Sequence, residues 1–165
     1  MTAIKQTFSE DEAAQALLRE ARALLKSDEE RRFFDMLFAA AGSEDIDRDT
    51  AQELAALARM GWGQARQHKP GEIQIAILPG GNAQDPENVV VAVNDDRPFL
   101  FDSALAAAIA AGARIRAAFH PLLDIAGKPT SVIVLVMDAM SGGIAQTALR
   151  ENLNLSFVQD RKSVV

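Results

Sequence analysis

Four ionisable side chains in the middle of the chain are the best candidates for chemistry. Asp95 and Asp96 are adjacent, and neighbouring carboxylates can bind a metal ion or an ammonium group. A metal site needs a further ligand, and the only candidates nearby are Asp102 and His120. Because this spacing does not force the four residues to converge, we expect no metal site. We expect Asp96 instead to cap a helix whose first turn holds Pro98.

His120 has the one side chain of this group that ordinarily titrates near neutral pH, so it could act as a switch or as a general base. A second hypothesis is a polar latch, in which His120 hydrogen-bonds Asp102 or Ser103 and ties a strand to a helix. We favour the latch, because one loosely placed histidine does not support a Ser-His-Asp triad. A third hypothesis, a small hydrolase that uses Asp95, Asp96 and His120, lacks any nucleophile motif.

No segment has the pattern of a nucleotide-binding loop. Gly80-Gly81-Asn82 lacks the Gly-Lys-Ser/Thr ending of a phosphate loop, and the sequence contains no G-x-G-x-x-G. The absence of cysteine excludes disulfides, thiolate metal ligands and cysteine nucleophiles. We therefore expect neither a catalytic residue nor a bound cofactor in this chain.

The bulk composition limits the classes of partner. With 165 residues, of which 48% are hydrophobic, the chain suits one ordinary domain or a small domain with a helical extension. A net charge of -6 and an aromatic content of 5% argue against a nucleic-acid partner. The beginning of the chain has no apolar signal-peptide region, and its apolar runs are too short to span a bilayer. We expect a cytoplasmic protein with no membrane partner.

The first third of the chain has the signals of a helical segment, which we place at residues 1–68. Apolar residues recur there at helical spacing. We expect Gly42 to end a helix and the acidic run at 43–47 to be a solvated loop. Three capping boxes, each a Ser or Thr followed by Glu three residues later, mark helix starts at Ser9 with Glu12, Ser27 with Glu30 and Thr50 with Glu53.

An α/β domain is predicted over residues 69–165, beginning at the turn Lys69-Pro70-Gly71. Its strands are recognised by alternating or continuous apolar residues, and its helices by helical spacing. The predicted order is a strand through Ile73–Ile77, a loop from Pro79 to Pro86, a strand at 89–93, a helix at 99–111 ended by Gly112, strands at 115–123 and 132–137, and a helix in the tail at 144–165.

This order is the beginning of a ferredoxin-like split βαβ unit, so the fold class is α+β. A right-handed crossover through the helix at 99–111 sets the strands at 89–93 and 115–119 parallel or nearly adjacent in one sheet. The strand at 132–137 is expected to be antiparallel to the one before it. No fourth strand is recognised after the tail helix. A sheet without its last strand has an open edge, which favours self-association.

Residues 89–123 resemble the N-terminal region of the large bacterial NAD-specific glutamate dehydrogenases. In that family a strand runs into N-D-D-x-P-F-L-V-D-S, followed by a helix and a strand that ends in H-P. The resemblance extends over roughly residues 35 to 138. The matching positions are Asn94, Asp95, Asp96, Pro98, Phe99, Leu100, Asp102, Ser103, His120 and Pro121.

The same segment looks like a divergent ACT module, in which D-R-P-G-L-L follows the first strand and helps to hold a regulatory amino acid. Phe99 stands where ACT modules have glycine. A phenyl group at this point is expected to fill the pocket, in which case Phe99→Ala costs on the order of 3–5 kcal/mol of stability. The resemblance implies a ligand or regulatory loop that consists of Asn94, Asp95, Asp96, Arg97, Phe99, Asp102, Ser103 and His120.

The resemblance implies a non-catalytic regulatory or assembly domain of a larger enzyme. The parent reaction would convert L-glutamate, NAD and water to 2-oxoglutarate, ammonium and NADH, with NAD bound by the parent and not by this chain. The expected partners are the rest of the parent chain, further copies in a homo-oligomer and an amino-acid effector. The alternative is a stand-alone ACT-like sensor that binds an amino acid.

Overall fold

The computed structural model describes the backbone of residues 2–163 and the side chains of residues 11–161. The chain forms two compact units, which divide between Trp62 and Gly63. The first contains α1 (Thr2–Ala23), α2 (Asp28–Leu37), α3 (Ser43–Ile46) and most of α4 (Ala51–Ala65). The second contains β1 (Gln74–Gly81), β2 (Pro86–Asp95), α5 (Leu100–Ala110), β3 (Ile115–Phe119), β4 (Leu122–Ile125), β5 (Lys128–Asp138) and α6 (Gly143–Ser163).

Two of the three predicted capping boxes are confirmed. The amide of Glu30 donates to Ser27 Oγ over 3.1 Å, and the amide of Ser27 donates to Glu30 Oε1 over 3.2 Å. Thr50 and Glu53 make the same reciprocal pair at the start of α4. The third prediction is wrong, because α1 begins at Thr2 and Ser9 lies inside it. Ala3, Lys5 and Gln6 precede Ser9 and are good helix formers, and no Gly or Pro interrupts the segment. The helix therefore begins before the capping signal at Ser9.

The acidic run at 43–47 forms a helix, contrary to the prediction of a loop. Gly42 is the N-cap of α3 and not the end of α2, which stops at Leu37. The Asp45 carboxylate accepts from the Gly42 amide over 2.9 Å. Acidic side chains in a first helical turn accept from free backbone amides and interact favourably with the positive end of the helix dipole. The charges that suggested a solvated loop therefore stabilise this short helix.

The sheet confirms the predicted split βαβ arrangement. Its strand order is β1-β2-β5-β3, every pairing is antiparallel, and β4 continues alongside β5. Since β2 and β3 both run antiparallel to β5, they are parallel to each other with one strand between them. The predicted strand at 115–123 is interrupted at His120-Pro121 into β3 and β4. The tail forms α6, as expected.

Strand β1 occupies the place that the last strand of a complete unit would take. No strand follows α6 within residues 2–163, and β1 pairs along the free side of β2 from Gln74 to Gly81. The predicted open edge beside β2 is therefore filled, by a strand that comes before the unit and not after it. The outer edge of the sheet is β1 itself.

Half of the predicted loop from Pro79 to Pro86 is strand. Only residues 82–85 lie outside β1 and β2, and Asn82 Oδ1 accepts from the amides of Gln84 and Asp85 to close the turn. Proline suggested that the strand would end here, because proline has no N–H to donate to a neighbouring strand. Pro79 is nevertheless tolerated in β1, since this is an edge strand and the proline nitrogen faces away from β2.

In the second unit, an apolar core lies between α5, α6 and one face of the sheet. The continuous apolar run in β2 is buried on both faces of the sheet, as its composition indicated. Gly112 follows α5 at a φ of 91°, a left-handed conformation that suits glycine at a helix end. No helix in the described part of the chain is both long and apolar enough to cross a membrane. The core consists of Val90, Ala92, Leu100, Ala104, Ala108, Ala113, Ile133, Leu135, Met137, Leu149, Leu153 and Phe157.

Candidate functional site at the junction of β2 and α5

The end of β2, the start of α5 and the end of α6 meet at one end of the sheet. The Ser103 hydroxyl on α5 donates to Asp160 Oδ1 on α6 over 3.2 Å. Next along α6, Arg161 donates from Nη2 to Asn94 Oδ1 on β2 over 3.2 Å. We call these four residues, together with Arg97 from the segment that connects β2 to α5, the junction cluster; its members are Asn94, Arg97, Ser103, Asp160 and Arg161. It contains three residues of the predicted regulatory loop and two that the sequence did not single out.

Buried nitrogen donors are the main chemical feature of the junction cluster. Asn94 is 1% exposed and lies on the same face of β2 as Val90 and Ala92, because side chains alternate along a strand. Among the residues that the structure describes, its Nδ2 has no acceptor, and neither has the Nε of Arg97 or of Arg161. A buried donor without an acceptor costs about 1–3 kcal/mol. These N–H groups are therefore suited to an anionic ligand such as a carboxylate.

The spacing of apolar residues in α6 also predicts the direction of the Arg161 side chain. Leu149, Leu153 and Phe157 are spaced as one helical face, and Arg161 is the next position on it. All three apolar residues are fully buried. The guanidinium that follows them donates from Nη2 to the backbone oxygen of Gly71 over 2.6 Å, in addition to its bond to Asn94. The side chain is thus directed inward from the last turns of α6.

Asp95 is held by the segment that precedes β1. Its carboxylate accepts from the Gly71 amide over 3.0 and 3.2 Å and lies 3.5 Å from His68 Nε2. Burial raises the pKa of Asp95, but the Gly71 hydrogen bond and the interaction with His68 outweigh it, so that the pKa lies below its usual value. His68 is buried and stands 27 positions away, with no pattern in the sequence that links the two. Asp95 therefore anchors the segment before β1.

Asp96 does not cap α5, contrary to the prediction. Its side chain is exposed, and its amide donates to Pro129 O over 3.0 Å. The N-cap residue is Phe99, whose side chain has no oxygen to accept from the amides of the first turn. A capping side chain must reach the amides two or three positions later, and Asp96 stands too far before Leu100 for that. Asp102, in the first turn of α5, is exposed as well.

Phe99 is the clearest departure from expectation. Its side chain is 77% exposed, so the phenyl group does not fill a pocket. Its backbone is left-handed, with φ 64° and ψ 6°. This conformation costs a residue with a Cβ roughly 1–2 kcal/mol. The left-handed backbone gives a physical reason for the glycine that the ACT pattern has at this position.

We expect Phe99→Gly to stabilise the protein by about 0.5–1 kcal/mol, because relief of the left-handed strain exceeds the extra unfolded-state entropy of glycine. Chemical denaturation followed by circular dichroism measures the change. Phe99→Ala is the control, since alanine keeps the strain while it removes the exposed ring. A glycine variant less stable than the alanine variant would mean that the left-handed backbone costs less than the extra unfolded-state entropy of glycine.

His120 forms a latch, but to a different partner from those predicted. Its Nε2 lies 2.5 Å from the hydroxyl of Ser131 on β5, and its ring stacks on Phe101 with centroids 5.0 Å apart. Burial lowers the pKa of His120, while the negative charges of Asp96 and Asp102 act in the opposite direction. The histidine ties β5 to the segment after β3 and supports the ring of Phe101. Ser131 is fully buried beside Asn94 in the strand register.

The comparison with protein families agrees with the geometry. The family model described as "Glutamate dehydrogenase, ACT1 domain" matches residues 33–161, from α2 into α6. No curated protein and no solved structure gives a significant match. The family match covers well over half of the chain and contains the whole junction cluster. This chain therefore belongs to the ACT1 domain family of the glutamate dehydrogenases.

Proposed function

We propose that this domain is a non-catalytic regulatory or assembly domain of a large cytoplasmic glutamate dehydrogenase that uses NAD. The parent would convert L-glutamate, NAD and water to 2-oxoglutarate, ammonium and NADH, in a catalytic domain elsewhere in its chain. Family membership supports the link to a glutamate dehydrogenase. The lack of a dinucleotide or phosphate motif in the 165 residues supports a role outside catalysis. Its partners are then the rest of the parent chain and further copies of it.

The regulatory part of the proposal is that the junction cluster takes the carboxylate of an amino-acid effector. The main support is the set of buried N–H donors on Asn94, Arg97 and Arg161, for which no side chain or backbone group of the described residues is an acceptor. Guanidinium and amide N–H groups bind carboxylates through charge-assisted hydrogen bonds. The Asp160 carboxylate, next to Arg161, adds the opposite charge that an α-ammonium group would need. An amino acid fits this combination better than a simple anion does.

The exposed ring of Phe99 is consistent with this site. A buried ring would have occupied the position where ACT modules approach their ligand, but the phenyl group is directed into solvent. The ring could instead lie over a bound effector as part of the wall of the site. The remaining loop residues would act indirectly, since Asp95 is bound to Gly71 and Asp96 and Asp102 are exposed.

Calorimetric titration of the purified chain with glutamate, aspartate, arginine and other amino acids tests the proposal. We expect at least one of them to bind saturably. Asn94→Asp should raise the dissociation constant of that amino acid 10- to 100-fold, which corresponds to a loss of about 1.5–3 kcal/mol of binding free energy. The substitution is isosteric and keeps an acceptor for Arg161, but it replaces the free N–H donor with a negatively charged oxygen that repels a carboxylate. The fold should survive it.

Asp102→Asn is the matched control, because it changes the charge of an exposed residue near the junction and should leave affinity within about twofold. Equal affinities for wild type and Asn94→Asp would place the effector elsewhere. A flat titration with every amino acid would reject the effector site and leave assembly as the function of this domain, with the junction cluster serving its structure.

A further inference from the structure

The turn at residues 69–72, between α4 and β1, is held at its tip by two side chains from other elements. Pro70 and Gly71 are its central residues, a backbone hydrogen bond of 3.1 Å joins its ends, and Gly71 has a φ of 89°, as in a type II turn. The Gly71 amide donates to the Asp95 carboxylate over 3.0 and 3.2 Å. The Gly71 oxygen accepts from Arg161 Nη2 over 2.6 Å. We call residues 69–72 the Gly71 turn.

Arg161 holds the Gly71 turn with a nitrogen that a carboxylate ligand would also need. A guanidinium binds a carboxylate side-on through Nε and Nη2, as Arg22 binds Asp35 over 2.9 and 3.1 Å. In Arg161, Nε has no acceptor among the described residues, but Nη2 donates to both Gly71 O and Asn94 Oδ1. Since Nη2 carries two hydrogens, a carboxylate on this side of the guanidinium must replace one of these two acceptors.

The Gly71 oxygen is the acceptor that is easier to replace. Asn94 is 1% exposed and lies on β2, which is paired on both sides in the sheet. All four residues of the Gly71 turn are exposed, so the turn can move outward with little loss of buried apolar area. A guanidinium also makes a stronger hydrogen bond to a charged carboxylate than to a neutral carbonyl. A carboxylate should therefore displace the turn and leave Asn94 in place.

We propose that the Gly71 oxygen occupies the position of one effector carboxylate oxygen on Arg161, and that effector binding releases the Gly71 turn. This inference rests on the effector site of the proposed function and specifies how that site is regulated. The closed turn acts as an internal competitor, which lowers the apparent affinity for the effector. Because the turn connects α4 to β1, its release loosens the segment that joins them, and binding at the junction cluster changes the chain outside it.

Calorimetric titration of the full 165-residue chain with L-glutamate, L-aspartate and L-arginine compares wild type with Gly71→Ala. A Cβ at this position meets no distant atom within 4 Å, but it disfavours the left-handed backbone. The substitution weakens the closed turn without a change of charge, so we expect the dissociation constant of the amino acid that binds to fall about fivefold or more. Pro70→Ala should lower it about twofold, because alanine gives the released turn more conformational freedom.

Gly142→Ala is the matched control. Gly142 also has a φ of 89° and open space where a Cβ would be, but it precedes α6, at the end of that helix opposite to Arg161. Its dissociation constant should equal that of wild type, and circular dichroism verifies that all three variants fold.

Hydrogen exchange measured by mass spectrometry gives an independent readout on wild type. Saturation with the amino acid of the three that binds most tightly should speed exchange of the backbone amides in the Gly71 turn. A ligand that only stabilises the folded state would slow exchange instead. Faster exchange confined to this turn is therefore specific to its release.

The outcomes separate the Gly71 turn from the effector site itself. Saturable binding that is equal in wild type, Gly71→Ala and Pro70→Ala, or slower exchange at 69–72 with the amino acid bound, would overturn the role of the turn and leave the effector site in place. Weaker binding by Gly71→Ala, or an equal gain of affinity in Gly142→Ala, would overturn it as well. Flat titrations of wild type and Gly71→Ala would reject the effector site and this inference together.

Discussion

Phe157→Ala is expected to lower the free energy of unfolding by about 3–5 kcal/mol, the range for a phenylalanine removed from a packed core. Phe157 is fully buried and belongs to the core that joins α6 to the sheet. Truncation removes the transfer free energy of the ring and leaves a cavity beside Leu153. It also loosens the turn of α6 that directs Arg161 toward Asn94. We expect weaker effector binding at the junction cluster as a secondary effect.

Phe99→Ala is the matched control for this prediction, since the two substitutions remove the same ring from a buried and an exposed position. Urea denaturation should show a loss of less than about 0.5 kcal/mol for Phe99→Ala, as for most surface substitutions. Similar losses for the two variants would contradict the assignment of Phe157 to the core and Phe99 to the surface. The comparison therefore also tests whether the ring of Phe99 is exposed and not buried, as the sequence had suggested.

The second large effect is expected at Arg116, where Arg116→Met should cost roughly 2 kcal/mol. Its guanidinium donates to Asp85 over 2.7 and 2.9 Å, to Glu87 over 2.8 Å and to Asp138. The bonds to Asp85 and Asp138 are the main cause of a pKa of Arg116 raised above its usual value. Methionine keeps the length of the side chain but leaves three carboxylates facing each other.

Because Asp85 and Asp138 are partly exposed, salt should screen that repulsion. We expect the cost of Arg116→Met to become clearly smaller in 1 M sodium chloride, on the order of half its low-salt value. Arg114→Met is the control, since Arg114 is exposed two residues earlier, and it should be nearly neutral at both salt concentrations. A cost that does not change with salt would indicate that the stem of Arg116 matters through packing and not through its charge.

The sequence by itself determined the elements whose signals are local. The capping boxes at Ser27 and Thr50 start helices because each uses side chains and amides within one turn. The apolar run at 89–93 forms an interior strand, and the spacing of Leu149, Leu153 and Phe157 forms a helix with one buried face. The order of these elements was sufficient to predict a split βαβ unit, because crossover handedness leaves few arrangements for it. The motif around Asn94 indicated the family.

Only the tertiary structure decided the features that depend on distant parts of the chain. The place of β1 beside β2 depends on the turn at 82–85 and on which edge of the sheet was vacant. The left-handed backbone of Phe99 is imposed by the fold at either side, since phenylalanine has no preference for it. Asn94 meets Arg161 across 67 positions. No local pattern encodes such a contact, because it exists only once α6 has packed its apolar face on the sheet.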